Sequence, residues 1–338
     1  MLKHDAMKPP ARNVRVKHPG KGDGSGRSRM ELLRGMQSLR EPQPGCVATI
    51  GNFDGVHLGH AAVIGSVVAK ARRTSLRACV ITFEPLPQEF LRPAQAPPRL
   101  MRLRSKFQRI ARLGVDRLLV LNFNAGLAQL EPQAFVERVL LDGLHVKHLV
   151  VGDDFRFGKA RRGDMALLQE LAATHDFDVS PTETFYNGAL RVSSTRVREL
   201  LARGDFAGAA QLLGEPYAIC GRVGYGQRLA QTLGFATANV DLGRVRPPMR
   251  GVFAVQAELE DQTQLRGVAN LGTRPTVNGT RLILEVHCFD FTGDIYGQHM
   301  SVTFRQKLRD EQKFASLQDL QRQVHVDREA AHAFFARA

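Results

Sequence analysis

The sequence predicts an α/β part joined to an all-β part: an N-terminal doubly wound parallel sheet, then a small antiparallel β-barrel with a C-terminal helix. Three observations predict it. Strand and helix signals alternate from Cys46 to Val151, the pattern of parallel strands joined by crossover helices. Beyond Gly214 the helix signals fade, and short segments of alternating polarity follow, separated by Gly, Pro and Asn turns. A length of 338 residues is long for one core and comfortable for two domains.

In order along the chain, residues 1–29 are basic, rich in Gly, Pro and Ser, and lack apolar periodicity, so a disordered, solvated extension is expected. Cys46–Ile50 reads as a buried strand and Leu58–Arg73 as a helix with Ala61, Ile64, Val68 and Ala71 on one face. Ala78–Phe83 reads as a second strand. Residues 84–98 carry five prolines and are expected to be a loop. Helix is predicted over 104–113 and 133–141, strand over 117–123 and 148–151. The segments Gly251–Glu258 and Arg281–Cys288 alternate as strands. Residues 317–324 and then 329–336 are expected to close the chain as helix. The expected divisions are the extension 1–29, a sheet domain 30–200, a helical linker 201–214 and a barrel domain 215–338.

The stretch Gly51-Asn52-Phe53-Asp54-Gly55-Val56-His57-Leu58-Gly59-His60 lies between the first strand and the first helix. Gly51, Gly55 and Gly59 let the backbone bend and approach a ligand, and free N–H groups at a helix start attract an anion. His57 and His60 are spaced so that both imidazoles can face one ligand. Residues 152–163 follow a strand end and mix Phe155 and Phe157 with four cations, which suits either a solvated loop or a phosphate or flavin contact. In Arg191–Arg198 the hydroxyls of Ser193, Ser194 and Thr195 can cap a helix; with its arginines they form a second anion site. In an extended Thr237-Ala238-Asn239, residues two apart point the same way, so the Thr237 hydroxyl and the Asn239 amide oxygen can meet one hard cation.

Composition bounds the function. The hydrophobic share is 43% and the charged share 24%, ordinary for a globular protein. Of the net charge of +14, residues 1–29 hold +6, and the remaining +8 suits an enzyme that holds phosphates without requiring a polynucleotide. A nucleic-acid-binding protein would show a basic and aromatic stacking pattern that is absent here. Cys46, Cys79, Cys220 and Cys288 are widely separated, suggesting neither a zinc site nor a disulfide framework. With no apolar run near the roughly 18 residues of a membrane span and no signal-peptide core, a cytoplasmic location is expected.

The wording GNFDGVHLGH resembles the signature of the HxGH nucleotidyltransferases, and in particular the bacterial bifunctional riboflavin kinase/FMN adenylyltransferases. Ser194, Thr195 and Arg198 match the ISSTxxR motif of the same enzymes. Leu233–Asn239 is similar to the GFPTAN motif of riboflavin kinases, and the segments 267–276, 284–287 and 308–311 are similar to the family nearly throughout. The resemblance covers roughly residue 45 to the C-terminus. It implies a Rossmann-like FMN adenylyltransferase domain followed by a riboflavin kinase barrel, phosphorylating riboflavin to FMN and adenylylating FMN to FAD.

It further implies His57 and His60 as catalytic residues for adenylyl transfer and Glu285 as the base of the kinase; from the residues alone, Glu285 reads as an outward-facing strand residue. Nucleotide contacts are implied for Gly51, Asn52, Asp54, Gly55, Gly59, Ser194, Thr195, Arg198 and Gly234, and flavin contacts for Asp154, Phe155, Arg156 and Arg309. Thr237 and Asn239 would hold magnesium with ATP. The implied partners are riboflavin, FMN and ATP, with no permanently bound cofactor, no nucleic acid and no membrane; the oligomeric state stays open. Ala230-Gln231 stands where most relatives have Gly-Arg, and Ala236 replaces a proline. These departures leave a second reading, an adenylyltransferase whose barrel binds flavin but phosphorylates poorly.

Overall fold

The computed structural model describes residues 30–39, 44–188, 190–224, 237–276 and 279–337. They form two units. One takes the chain up to Asn52, Ala61–Ala96 and Ile110–Glu183; the other takes Phe53–His60, Pro97–Arg109 and the chain from Thr184 onward. The extension 1–29 and the positions Ala230, Gln231, Gly234 and Ala236 lie outside the described residues.

The first unit is a six-stranded parallel sheet of β1 (Glu31–Arg34), β2 (Cys46–Ile50), β3 (Arg77–Phe83), β4 (Arg117–Leu121), β5 (Val146–Gly152) and β6 (Asp178–Thr182), in the order β1-β4-β3-β2-β5-β6. All five residues of β2 are buried, as expected for a central parallel strand covered on both faces. Ala48, Ile50, Ile81, Leu119, Leu149 and Val151 belong to one apolar core. The strand order reverses between β2 and β5, so a topological switch point lies at their carboxyl ends. The chain leaves β2 through Gly51 and Asn52 and leaves β5 into the 152–163 loop, both at that point.

Helix α1 (Leu58–Arg73) has the predicted bounds and buries Ile64, Val67, Val68 and Ala71. The proline-rich stretch departs from expectation. It contains a short helix, α2 (Pro87–Leu91), and a 3-10 turn, Pro93–Gln95, because Pro87 and Pro93 stand in the first turns, where their missing N–H groups cost nothing. After α3 (Leu103–Arg112) and α4 (Ala125–Ala128), the helix expected over 133–141 divides into α5 (Pro132–Phe135) and a wider π turn, Val136–Leu141. Helix α6 (Met165–Thr174), capped by Asp164, leads into β6.

The second unit holds the hairpin β7 (Tyr186–Asn187) and β8 (Leu190–Arg191), then α7 (Ser194–Ala202) and α8 (Phe206–Leu213). A closed antiparallel barrel follows, built from β9 (Ala218–Gly224), β10 (Ala238–Val240), β11 (Gly251–Leu259), β12 (Gln264–Thr276), β13 (Gly279–Cys288) and β14 (His299–Arg309), ordered β10-β13-β12-β11-β14-β9. Residues 201–214 do more than connect. Phe206, Ala209, Leu212 and Leu213 belong to the barrel's core, where the Phe206 ring lies 5.8 Å from Phe253 and 6.0 Å from Phe304. The two expected C-terminal helices are one continuous α9 (Leu317–Arg337).

Candidate active sites

The Phe53–His60 turn is held in a costly backbone conformation. Phe53 has φ of 45° and Val56 φ of 40°, left-handed values that bulky and β-branched residues rarely adopt, and Gly55 between them has φ of 88°. His57, 5% exposed, occupies the N-cap position of α1: its Nδ1 accepts the His60 backbone N–H at 3.2 Å. One of the helix N–H groups expected to be free for an anion is therefore taken by His57. Gly59 makes this possible, since a Cβ there would meet the His57 ring at 3.3 Å. The two imidazoles stack with centroids 3.6 Å apart and planes 15° apart.

Both imidazoles are neutral near pH 7. Burial, with Arg109 and Arg198 nearby, pushes the His57 pKa down to about 4. Burial, His57, Lys106 and the same two arginines hold His60 well below the ordinary range. Because Nδ1 of neutral His57 is an acceptor, its proton lies on Nε2, which is left to donate. His60 Nδ1 is buried without a hydrogen-bond partner among the described residues. The pH consequence has a definite sign. Between about pH 6.5 and 4 the unfolded chain binds protons that folded His57 refuses, so stability falls as pH falls through that window. His57 alone contributes about 3 kcal/mol to the loss. Denaturant unfolding at pH 7 and pH 4.5 checks this; a His57→Asn variant with the same acid sensitivity would refute it.

Asp54 and the start of α7 form the turn's support. Ser193, not Ser194, caps α7, accepting the Arg196 N–H at 3.2 Å, while the Ser194 hydroxyl donates to the Asp54 carbonyl at 2.8 Å and Thr195 is exposed. The Asp54 carboxylate, 2% exposed, accepts the Leu100 and Met101 N–H groups and pairs with Arg198 at 2.7 Å. Asp54 was expected to contact nucleotide; its carboxylate is instead committed to protein donors. Arg198 also donates through Nε to the Pro98 carbonyl at 2.6 Å. Arg109, which sequence reasoning missed, ties the Gly55 carbonyl to the Leu213 carbonyl at 2.8 and 2.9 Å. Nothing distinguishes it in sequence from the other cations of the 102–112 stretch. Asp54→Ala leaves Arg198 without its buried partner and is expected to cost about 3–5 kcal/mol in denaturant unfolding. A loss below 1 kcal/mol would mean the pair contributes little.

On the barrel, register brings residues together that sequence spacing could not. Asn239 of β10 stands opposite Glu285 of β13, which stands opposite Asn270 of β12. Their neighbours Ala238, Val240, Leu284, Val286, Ala269 and Leu271 are buried, so all three residues belong to the outward set. The same row continues through Val252 to Arg309. The Arg309 guanidinium donates to Asp327 of α9 at 2.8 and 2.7 Å. Thr237 and Asn239 each carry a side-chain oxygen of the kind a hard cation takes, and the Glu285 carboxylate faces Asn239. Among the described residues no group of three His, Cys, Asp or Glu could hold a metal.

The other expected contacts belong to the first unit. Gly51 donates to the Ile81 carbonyl at 3.0 Å, and Asn52 is exposed. The loop after β5 is pinned by paired backbone bonds of Phe157 with Gly163, both 3.0 Å. Phe155 stacks on buried Phe157, Arg156 pairs with Asp164 at 2.5 Å, and Asp154 is exposed.

A FAD synthetase family model matches residues 39–196 and a riboflavin kinase model residues 213–335. The Escherichia coli K12 bifunctional riboflavin kinase/FMN adenylyltransferase is 48% identical over 307 residues, covering 90% of this chain and 98% of the relative. The chain belongs to this family. The Pseudomonas fluorescens member is 48% identical over 308 residues (91% of this chain, 98% of the relative) and the Haemophilus influenzae member 45% over 306 (90% and 99%). A Streptococcus pneumoniae crystal structure described as a macrolide-efflux protein aligns with TM-score 0.72 and 28% identity, over 90% of this chain and 99% of that one. No helix among the described residues is long and apolar enough to cross a membrane. For a bifunctional riboflavin kinase/FMN adenylyltransferase, the turn with its two histidines and the barrel row are the places where two chemistries would be sought.

Proposed function

We propose that this chain phosphorylates riboflavin with ATP at the Thr237, Asn239 and Glu285 row, and adenylylates FMN with ATP at the His57, His60 and α7 cluster. The division assigns adenylyl transfer to the portion matched by the FAD synthetase model and phosphorylation to the barrel. The observation that carries it is the facing of Glu285 and Asn239 in one barrel row, a base beside a cation ligand, with no residue shared with the histidine cluster.

The two reactions ask for different groups. Riboflavin's terminal hydroxyl has a pKa far above 7, so its attack on the γ-phosphorus needs a proton acceptor, and Glu285 takes that proton as ADP departs. Thr237 and Asn239 would hold magnesium together with the ATP phosphates, and the ion would supply charge neutralisation there. FMN already carries an ionised phosphate. Its oxygen attacks the α-phosphorus of ATP and pyrophosphate leaves, so this site has only to position and stabilise charge. His57 Nε2–H is an uncharged donor that can follow the developing charge, and the cations Arg109 and Arg198 keep the surroundings positive. The unpartnered His60 Nδ1 is suited to a ligand that completes its bonding, since a buried ring nitrogen left alone costs about 1–3 kcal/mol. Asp54 acts by holding Arg198 and the turn in place, not by touching phosphate.

The test is direct: incubate the protein with riboflavin, ATP and magnesium and separate the flavins chromatographically. FMN should appear first and FAD after it. FAD formed only when FMN is supplied would refute the kinase half.

A further inference from the structure

We propose that Asn270 is a positioning residue for the phosphorylation, its amide holding the Glu285 carboxylate in the orientation that accepts a proton. The inference rests on the reading of Glu285 as the base. Asn270 and Glu285 are direct cross-strand partners in the β12–β13 ladder, both in the outward set, so their Cβ atoms lie about 4.5–5.5 Å apart. An Asn side chain at that separation reaches a Glu carboxylate, and its NH2 group offers two donors. Asn239 flanks Glu285 from the other side in the β10–β13 ladder.

A second carboxylate lies beside Gly272 on the same strand. Gly272, two positions along on the face of Asn270, leaves a space that Glu311 fills. A Cβ on Gly272 would lie 1.9 Å from Glu311 Oε1 and 3.5 Å from Asn270 Oδ1. Glu311 is kept there by the Thr273 N–H, which donates to Oε1 at 3.2 Å. Asn270 is thus a neutral amide directly opposite Glu285, with Glu311 beside Gly272 two positions along the same strand. A free glutamate samples many rotamers and loses them only if something holds it. A base needs that restraint, because misplacement by about 1 Å can cost 100-fold in rate. An amide opposite the base supplies it without adding charge, whereas a carboxylate there would raise the proton affinity of the base.

The test compares Asn270→Ala, Asn270→Asp and Glu285→Gln in the full chain, measuring kcat and KM of riboflavin phosphorylation from pH 5 to 9. FMN-to-FAD conversion and far-ultraviolet circular dichroism are followed in the same preparations. Asn270→Ala is expected to lower kinase kcat about 10- to 100-fold with KM for ATP unchanged. The isosteric Asn270→Asp is expected to move the acid limb of the kcat profile upward by about one pH unit or more. Conversion of FMN to FAD stays at the unmutated rate in both. If Glu285→Gln is inactive as a kinase while Asn270→Asp keeps the original profile, the role of Asn270 is refuted and the Glu285 reading survives. If Glu285→Gln phosphorylates normally, both fall. Should Asn270→Ala lose its fold, the profile of Asn270→Asp decides.

Discussion

Replacing His57 and His60 together by alanine is expected to abolish FAD formation while FMN formation from riboflavin continues. Each neutral imidazole offers a preorganised donor to phosphoryl oxygens, and removing one such donor from a charge-stabilising site typically costs about 10²- to 10³-fold. Two losses multiply to about 10⁴-fold or more if they act independently, below ordinary detection. The variant also loses the His57 cap on α1, worth about 1 kcal/mol, but sheds the cost of burying two imidazoles, so the turn is expected to persist. Supplying riboflavin and ATP and following the flavins over time gives the reading, with FMN accumulating and no FAD. Loss of both activities in a folded variant would show that the reactions are not divided as proposed. Retention of FAD formation within tenfold would remove the histidines from the mechanism.

The fold was legible in sequence where burial and period agree. β2 and α1 have the predicted bounds because five buried residues flanked by glycine, and an uninterrupted 3.6-residue pattern, leave no alternative. The C-terminal helix was split in the sequence reading because its apolar pattern breaks near Asp327. That residue is buried to meet Arg309, so an internal ion pair imitates the end of a helix. The proline-rich stretch hid α2 for the opposite reason: five prolines argue against helix unless they fall in first turns.

The sites divide similarly. Local signatures around His57 and Ser194 could be seen in the sequence, and so could the candidacy of Arg198. Their linkage through Asp54 could not, because the acceptor and its donors Leu100 and Arg198 are separated by 46 and 144 residues. The pairing of Arg309 with Asp327, 18 residues on, could not be read either, because Asp327 falls between the two helices expected there. Asn270 drew no attention at all. Its place beside Glu285 is a property of strand register, which one sequence does not state.

Glu285→Gln is expected to do the reverse of the histidine double variant. It keeps the size of the side chain and a hydrogen-bonding oxygen, and removes only the capacity to accept a proton. General-base removal costs about 10²- to 10⁴-fold in rate, so riboflavin phosphorylation is expected to fall by that factor. The change lies on the outward face of the barrel, away from the packed set Leu284 and Val286, so folding stability should move by less than about 0.5 kcal/mol. FMN supplied directly should still become FAD at the unmutated rate, because the histidine cluster shares no residue with the barrel row. The acid limb of the kinase pH profile carries further information. If Glu285 is the base, the residual activity of the glutamine variant should lose that limb, since the group whose ionisation produced it is gone. A variant that phosphorylates riboflavin at the normal rate, or that retains an unshifted acid limb, would transfer the role to another group. Glu311 would then be the first to test, because its carboxylate fills the space beside Gly272, two positions along β12 from Asn270.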